Sequence, residues 1–403
     1  MNSLSSNLRI AVVTTHPPSR NTLNEYGFHL MKALRQKEEV SEIILLAEEL
    51  SAGQDYNFEE PGVPVTVDAC WKFGDAGNAL RILAAVRRHK PDVVLFTIQF
   101  ATFGPDKATA ALGLTAPSMI KAAGYPTIVL LHNIMETVDL ESAGFANNRL
   151  VSSAIRQIGR LMTRLLLRAD LVALTIPKYV EILEKEYGAE NVILAPHGSF
   201  ETPPEPSYDL PPGPQRIMTF GKFGTYKKVE KLIEATQLLR ANGHPDSELI
   251  IAGTDSPNTP GYLQNIAESC ESGDGISFTG YVEEEDVPGL FQDAAVVVFP
   301  YTSTTGSSGV LHQAGSYGKA AVLPNIGDFA ELVQDEGYTG EFFEPDNTLS
   351  LKEAISRILD DPERRKQIGQ QNYGASCGLP ISEVADWYLL HMQHLLEEKG
   401  NKK

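Results

Sequence analysis

An α/β protein of two domains, each built on a parallel sheet, is what the sequence predicts, and three observations predict it. Short apolar, β-branched runs recur along the 403 residues, each followed by turn residues and a helical period. A proline-rich stretch breaks that rhythm near residue 200, and afterwards the rhythm restarts. The length also exceeds what one ordinary hydrophobic core organises.

The first series of runs is RIAVVTTH (9–16), SEIILLAE (41–48), DVVLFTIQ (92–99), TIVLLHN (127–133), DLVALTI (170–176) and NVILAPH (191–197). Runs apolar on both faces suit central strands of a parallel sheet, with helices as the crossovers. Residues 1–200 are therefore read as one Rossmann-like domain. The segment ETPPEPSYDLPPGP (201–214) has little capacity for regular structure and reads as a linker. The second series is RIMTFGK (216–222), ELIIAG (248–253), ISFTG (276–280), AVVVFPY (295–301) and AAVLPN (320–325), giving a second Rossmann-like domain over 215–380. The tail, 381–403, reads as a helix with Trp387, Leu390, Leu395 and Leu396 as its packed residues, placed to return to the N-terminal domain.

Composition narrows the function. A net charge of −18 argues against a nucleic-acid partner, which needs a positive surface. Three widely spaced cysteines, Cys70, Cys270 and Cys377, suggest neither a disulfide framework nor a zinc site, and fit a reducing compartment. No apolar run approaches the roughly 20 residues that span a bilayer. The expectation is a cytoplasmic protein, with peripheral contact to the inner membrane face as its one membrane option.

Ligands of open parallel sheets bind beyond the carboxyl ends of the strands, so the strand-end loops are the places to search. In GKFGTYKKVEKLIEAT (221–236), Gly221 and Gly224 permit close backbone approach, and Lys222 and Lys227 bracket a loop that opens a helix. Two cations at a helix N-terminus suit a diphosphate, although an ordinary lysine-rich turn has the same residues. In TSTTGSSGVLHQAGSYGKAAV (302–322), small residues expose backbone N–H groups and hydroxyls ahead of a helix beginning near Gly309 or Val310. No His, Asp or Glu cluster has metal-ligand spacing, so a metal-free site without a cofactor is expected.

On these segments the chain resembles the GT-B fold retaining glycosyltransferases of family four (glycosyl transferases group 1). Gly221-Lys222 followed by Lys227-Lys228 matches the family's Gly-Arg and Lys-Gly pattern. The segments FTGYVEEEDVPGLFQDAAVVVFPY, GKAAV, GDFAELV and DDPERR follow in the family's order. The resemblance implies two facing Rossmann-like domains with the nucleotide diphosphate sugar, GDP- or UDP-linked, held mainly by the C-terminal one. It implies Lys222 and Lys227 as diphosphate ligands and His132 beside the reacting sugar. Gly27, Gly221, Gly253, Tyr281, Thr305, Gly306, Ser307, Ser308, Gly309, Val310 and Gln313 are the implied donor-binding residues. Two departures are visible: the family's arginine is Lys222 here, and its paired glutamates fall on Thr305 and Gln313, which hydrogen-bond but carry no charge.

The N-terminal loop THPPSRNTLNEYGFHL (15–30) lies where the family has a flexible loop near the donor phosphates, with Arg20 and Gly27 as its candidates and Asn24 or Glu25 as helix caps. His16 and His197 end strands as His132 does. IRQIGRLMTRLLLR (155–168) sets Arg156, Arg160, Arg164 and Arg168 on one stripe beside an apolar face of Ile155, Ile158, Leu161, Leu165 and Leu166. The stripe is either a solvated face or a contact for anionic lipid or a phosphorylated acceptor. The expected activity is metal-independent hexose transfer to a hydroxyl of a carbohydrate or lipid-linked acceptor. A non-catalytic GT-B binding protein, a sugar epimerase and a phosphorylase are the alternatives.

Overall fold

Seven strands form the first sheet in the computed structural model, which describes residues 7–137, 149–200, 203–224, 226–256, 259–270, 275–303 and 308–400. They are β1 (Leu8–Val13), β2 (Val40–Glu48), β3 (Val65–Trp71), β4 (Val93–Ile98), β5 (Thr127–Leu131), β6 (Leu171–Leu174) and β7 (Val192–Leu194). All pair in parallel, in the order β3-β2-β1-β4-β5-β6-β7. Every described residue of β4 and β5 is buried, as the doubly apolar runs require. The helices are α1 (Asn24–Arg35), α2 (Asn78–His89), α3 (Lys107–Gly113), α4 (Ala116–Ala122), α5 (Arg149–Leu166) and α6 (Pro177–Tyr187).

Six strands form the second sheet: β8 (Arg216–Phe223), β9 (Glu248–Asp255), β10 (Ile276–Gly280), β11 (Ala294–Val298), β12 (Ala321–Pro324) and β13 (Glu341–Phe343). Their order, β10-β9-β8-β11-β12-β13, repeats the first sheet's winding, again parallel throughout. The helices here are α7 (Val229–Ala241), α8 (Tyr262–Glu268), α9 (Val287–Asp293), α10 (Gly309–Ser316), α11 (Gly327–Asp335), α12 (Thr348–Asp360) and α13 (Pro362–Gly378). A core of Ile217, Val229, Leu232, Leu249, Ile251, Val296, Ile355 and Ile358 packs α7 and α12 onto one face of the sheet. Both sheets are doubly wound, and the chain has the GT-B architecture.

The last helix, α14 (Ile381–Gly400), groups with the first sheet, so one compact unit holds the described parts of 1–138, 148–200 and 381–403. The second unit holds 201–380. The Ile381 N–H donates to the Ser199 carbonyl at 2.8 Å, and Lys37 pairs with Asp386 at 2.6 Å.

Three details differ from the expectations. Strands β3 and β13 carry no doubly apolar run. β3 is an edge strand with Asp68 and other polar positions in alternation, and β13 has three residues. On α14 the packed residues are Ile381, Val384, Ala385, Tyr388, Leu389 and Met392, whereas Trp387 and Leu390 are 41% and 57% exposed. The helix turns a neighbouring stripe inward because those six residues also recur at intervals of three and four. On α5 the buried side is narrower than expected: Ile155, Met162 and Leu166 are buried, but Ile158 and Leu161 are 45% and 53% exposed. Among the described residues no helix is long and apolar enough to cross a membrane.

Candidate functional site

The winding of the second sheet reverses between β8 and β11, which opens a crevice at their carboxyl ends. Both loops singled out in the sequence leave the sheet at that point. The first runs from β8 to α7, and the second from β11 to α10. They are tied together by backbone bonds: Lys228 N–H to the Pro300 carbonyl, 2.8 Å, and Thr302 N–H to the Tyr226 carbonyl, 2.8 Å. Lys227 and Tyr301 also form a β-bridge.

Two glycines make the approach possible. Gly221 has φ 119° and Gly253 has φ 132°, in the region where a side chain is strained. A β-carbon at Gly253 would stand 1.9 Å from the Gly221 carbonyl oxygen, so no other residue fits there. A β-carbon at Gly221 would stand 3.1 Å from the Lys227 Nζ and 3.5 Å from Val310 Cγ2. Gly221, Lys227 and Val310 thus meet at one spot, although 89 positions separate the first from the last (310 less 221).

Lys227 is 6% exposed, and its ammonium sits over three rings, 5.0 Å from Tyr301, 5.4 Å from Phe223 and 5.9 Å from Tyr226. Among the described residues no carboxylate pairs with it. Burial brings the Lys227 ammonium down to about 7, and the neighbouring charge of Lys222 pushes the same way. The aromatic faces offset part of the desolvation without neutralising the cation. A buried cation beside a second lysine is electrostatically unsatisfied, and an anion placed here would relieve both effects.

Helix α10 supplies the other side. Ser308 is its N-cap, and its first turn, from Gly309 and Val310, presents backbone N–H groups with no intrahelical acceptor. Gln313 lies on the same helix and is 7% exposed. Behind it, His312 Nδ1 lies 3.0 Å from the Tyr338 hydroxyl, and His312 Nε2 lies 3.5 Å from Glu336 Oε2. Burial, with the nearby Asp335 charge, pushes the Glu336 carboxyl up to about 8. Thr305, Gly306 and Ser307 lie outside the described residues. Tyr281 follows the edge strand β10 and is 45% exposed.

The N-terminal candidates gather at the carboxyl edge of the first sheet. Gly27 lies on α1, where a β-carbon would stand 2.3 Å from the Thr15 carbonyl oxygen, so its lack of a side chain lets α1 cross closely over the end of β1. His132 follows β5 and is buried, with its ring 4.5 Å from Tyr26 and 6.2 Å from His197. Its Nε2 is buried without a hydrogen-bond partner among the described residues. Burial holds the His132 ring down at about 3, with His197 adding to the effect, and burial holds His197 down at about 4. His16 is likewise buried and lowered by desolvation, its Nδ1 2.8 Å from the Pro17 carbonyl. All three strand-end histidines are therefore neutral at neutral pH. The cage residues Phe223, Tyr226 and Tyr301 carry no signal in the sequence, because what brings them together is the pairing of two loops far apart in the chain.

Known proteins give the same reading of the fold. Residues 205–375 match the family model "Glycosyl transferases group 1". Over 155 residues the chain is 28% identical to an alpha-D-kanosaminyltransferase of Streptomyces kanamyceticus, covering 38% of this chain and 39% of that one. Over 182 residues it is 28% identical to the GDP-mannose:cellobiosyl-diphosphopolyprenol alpha-mannosyltransferase of Komagataeibacter xylinus, covering 45% of each. The chain thus spans less than half the length of these curated relatives. The solved structure of Anabaena HepE in complex with UDP-glucose superposes with a TM-score of 0.65 at 15% identity, covering 98% of this chain and 100% of that one. The chain thus has the GT-B fold, and its second domain, over 205–375, is similar to the glycosyl transferases group 1.

Proposed function

We propose that the protein transfers a hexose from a nucleotide diphosphate sugar, GDP- or UDP-linked, to a hydroxyl of a carbohydrate or lipid-linked acceptor. The observation that carries this reading is the meeting of the buried Lys227, its neighbour Lys222 and the opening of α10 at the β8/β11 crevice. It is supported by the donor named for the Komagataeibacter relative and by the UDP-glucose bound to HepE.

In the proposed reaction the bond from the sugar's anomeric carbon to the diphosphate breaks, and a bond to the acceptor oxygen forms on the same face. The acceptor's proton passes to the leaving phosphate. Lys222, Lys227 and the first-turn N–H groups of Gly309 and Val310 take the charge that develops on the diphosphate, so that no metal is needed. Gln313 offers an amide to the donor's hydroxyls. Calorimetric titration with GDP, UDP and their sugars tests the assignment. Parental nucleotide affinity in Lys227→Ala would refute it, and turnover in EDTA tests metal independence.

A second reading concerns where the acceptor resides. Arg156, Arg160, Arg164 and Arg168 are all exposed, and Ile158 and Leu161 stand exposed on the same helix or its continuation. A cationic arc flanked by apolar side chains suits an anionic lipid surface, on a chain that is otherwise acidic. Co-sedimentation with phosphatidylglycerol vesicles, compared with phosphatidylcholine, tests it. Equal binding to both would remove the electrostatic argument.

A further inference from the structure

We propose that Tyr262 is the positioning residue that keeps Lys227 seated in its aromatic cage. The proposal rests on the reading of Lys227 as a diphosphate ligand only for its functional consequence.

Tyr262 opens α8, and its hydroxyl reaches across to the lysine loop. The oxygen lies 2.8 Å from the Lys227 carbonyl, 2.5 Å from Glu230 Oε2 and 3.2 Å from the Val229 N–H. It accepts from Val229 and donates its single hydrogen to the two acceptors in turn. One hydroxyl thereby fixes the backbone of the residue that carries the ammonium and the first turn of α7. Burial and the Glu230 carboxylate hold the phenol well above its ordinary range, so it stays a donor.

Tyr262 is itself anchored. The Asp255 carboxylate at the end of β9 accepts from the Gly261 N–H at 2.5 Å and the Leu263 N–H at 2.8 Å, on either side of Tyr262. The same connection holds the start of the loop, because the Phe223 carbonyl accepts from Ser256 N–H at 2.6 Å and from Thr259 Oγ1 at 3.3 Å. The loop is therefore clamped at Phe223 and at Lys227 from β9 and α8. A lysine stem is flexible, and its ammonium gains hydration by leaving a buried cage. The clamp resists that escape. The charged groups around this clamp are Lys222 on β8, Lys228 and Glu230 by α7, and Asp255 on β9.

The test is Tyr262→Phe, which removes one oxygen atom and keeps the ring. The full chain, carrying isotope-labelled lysine, is titrated by NMR at the Lys227 Nζ without any nucleotide. The parent midpoint is expected at about 7. In Tyr262→Phe it is expected to rise by at least about one unit toward the ordinary lysine value. GDP and UDP affinities are expected to weaken about fivefold, the worth of one lost hydrogen bond. Glu230→Gln, which keeps an acceptor for the hydroxyl, should leave the midpoint close to the parent's. An unchanged midpoint in Tyr262→Phe overturns the proposal. A shifted midpoint with unchanged nucleotide affinity upholds the positioning and instead refutes Lys227 as a diphosphate ligand.

Discussion

The two sheets wind in the same order, yet their carboxyl edges are furnished in opposite ways. At the first, the strand-end residues His132 and His197 are packed among Tyr26 and Phe200 and kept uncharged. At the second, the buried base is Lys227, ringed by Phe223, Tyr226 and Tyr301 and placed beside Lys222. Burial lowers both kinds of base. A histidine begins near neutrality and becomes a fixed neutral ring, whereas a lysine begins high and arrives near neutrality still partly charged. The same topology therefore yields one edge lined by neutral rings and another that carries buried positive charge.

The harshest way to break the contrast is to close the β8/β9 approach. Gly253→Ala sets a methyl against the Gly221 carbonyl, and the cost should be about 4 kcal/mol, seen as early urea unfolding of residues 201–380. Removing only the cation is milder. Lys227→Ala should keep the fold and weaken nucleotide binding about a hundredfold in calorimetry, since hydrogen bonds to charged groups are worth about 1.5–3 kcal/mol each. A parental dissociation constant there would erase the functional distinction between the edges.

Acid sharpens the comparison from the other side. Folded, His132 and His197 titrate at about 3 and about 4, while an unfolded histidine titrates at about 6.5. The unfolded chain takes up protons first as pH falls, so stability present above about 6.5 is lost below it, by about 1 kcal/mol for each ring between pH 7 and 5.5. His132→Gln should flatten that slope in urea titrations. Alkali acts on the second edge alone. The free Lys227 loses its proton through about 7, so nucleotide affinity should fall about fivefold between pH 7 and 8, with proton uptake on binding visible in buffers of different ionisation enthalpy. Affinity constant across that range would mean that the cage does not set the lysine's charge.

Much of this was legible in the sequence because central parallel strands advertise themselves. β1, β2, β4, β5, β8, β9 and β11 are apolar on both faces, and two helix-opening loops stood out by charge and by small residues. β3 escaped because one side of an edge strand faces solvent and keeps Asp68, and β13 is too short for any period. Lys222 and Lys227 stand out by charge at a strand-end loop, and the family resemblance gives them their expected role. Their setting does not stand out, because Tyr301 reaches the cage from the connection after β11, 74 positions away (301 less 227), and Tyr262 is one tyrosine among 14. The buried side of α14 is not legible for a simpler reason: apolar residues cover more than half of its circumference, so the period does not choose between neighbouring stripes.

The placement of α14 has a consequence for how the chain is made. Residues 381–400 complete the unit begun at the other end of the sequence, so the second unit is an insertion within the first. During synthesis the inserted unit can fold as soon as residue 380 clears the ribosome, whereas its host must wait with α1 uncovered until Tyr388 and Leu389 arrive. Biogenesis thus reverses the order of the sequence: the half written first is the half finished last, and a fragment cut at residue 200 would carry the permanent form of that unfinished state.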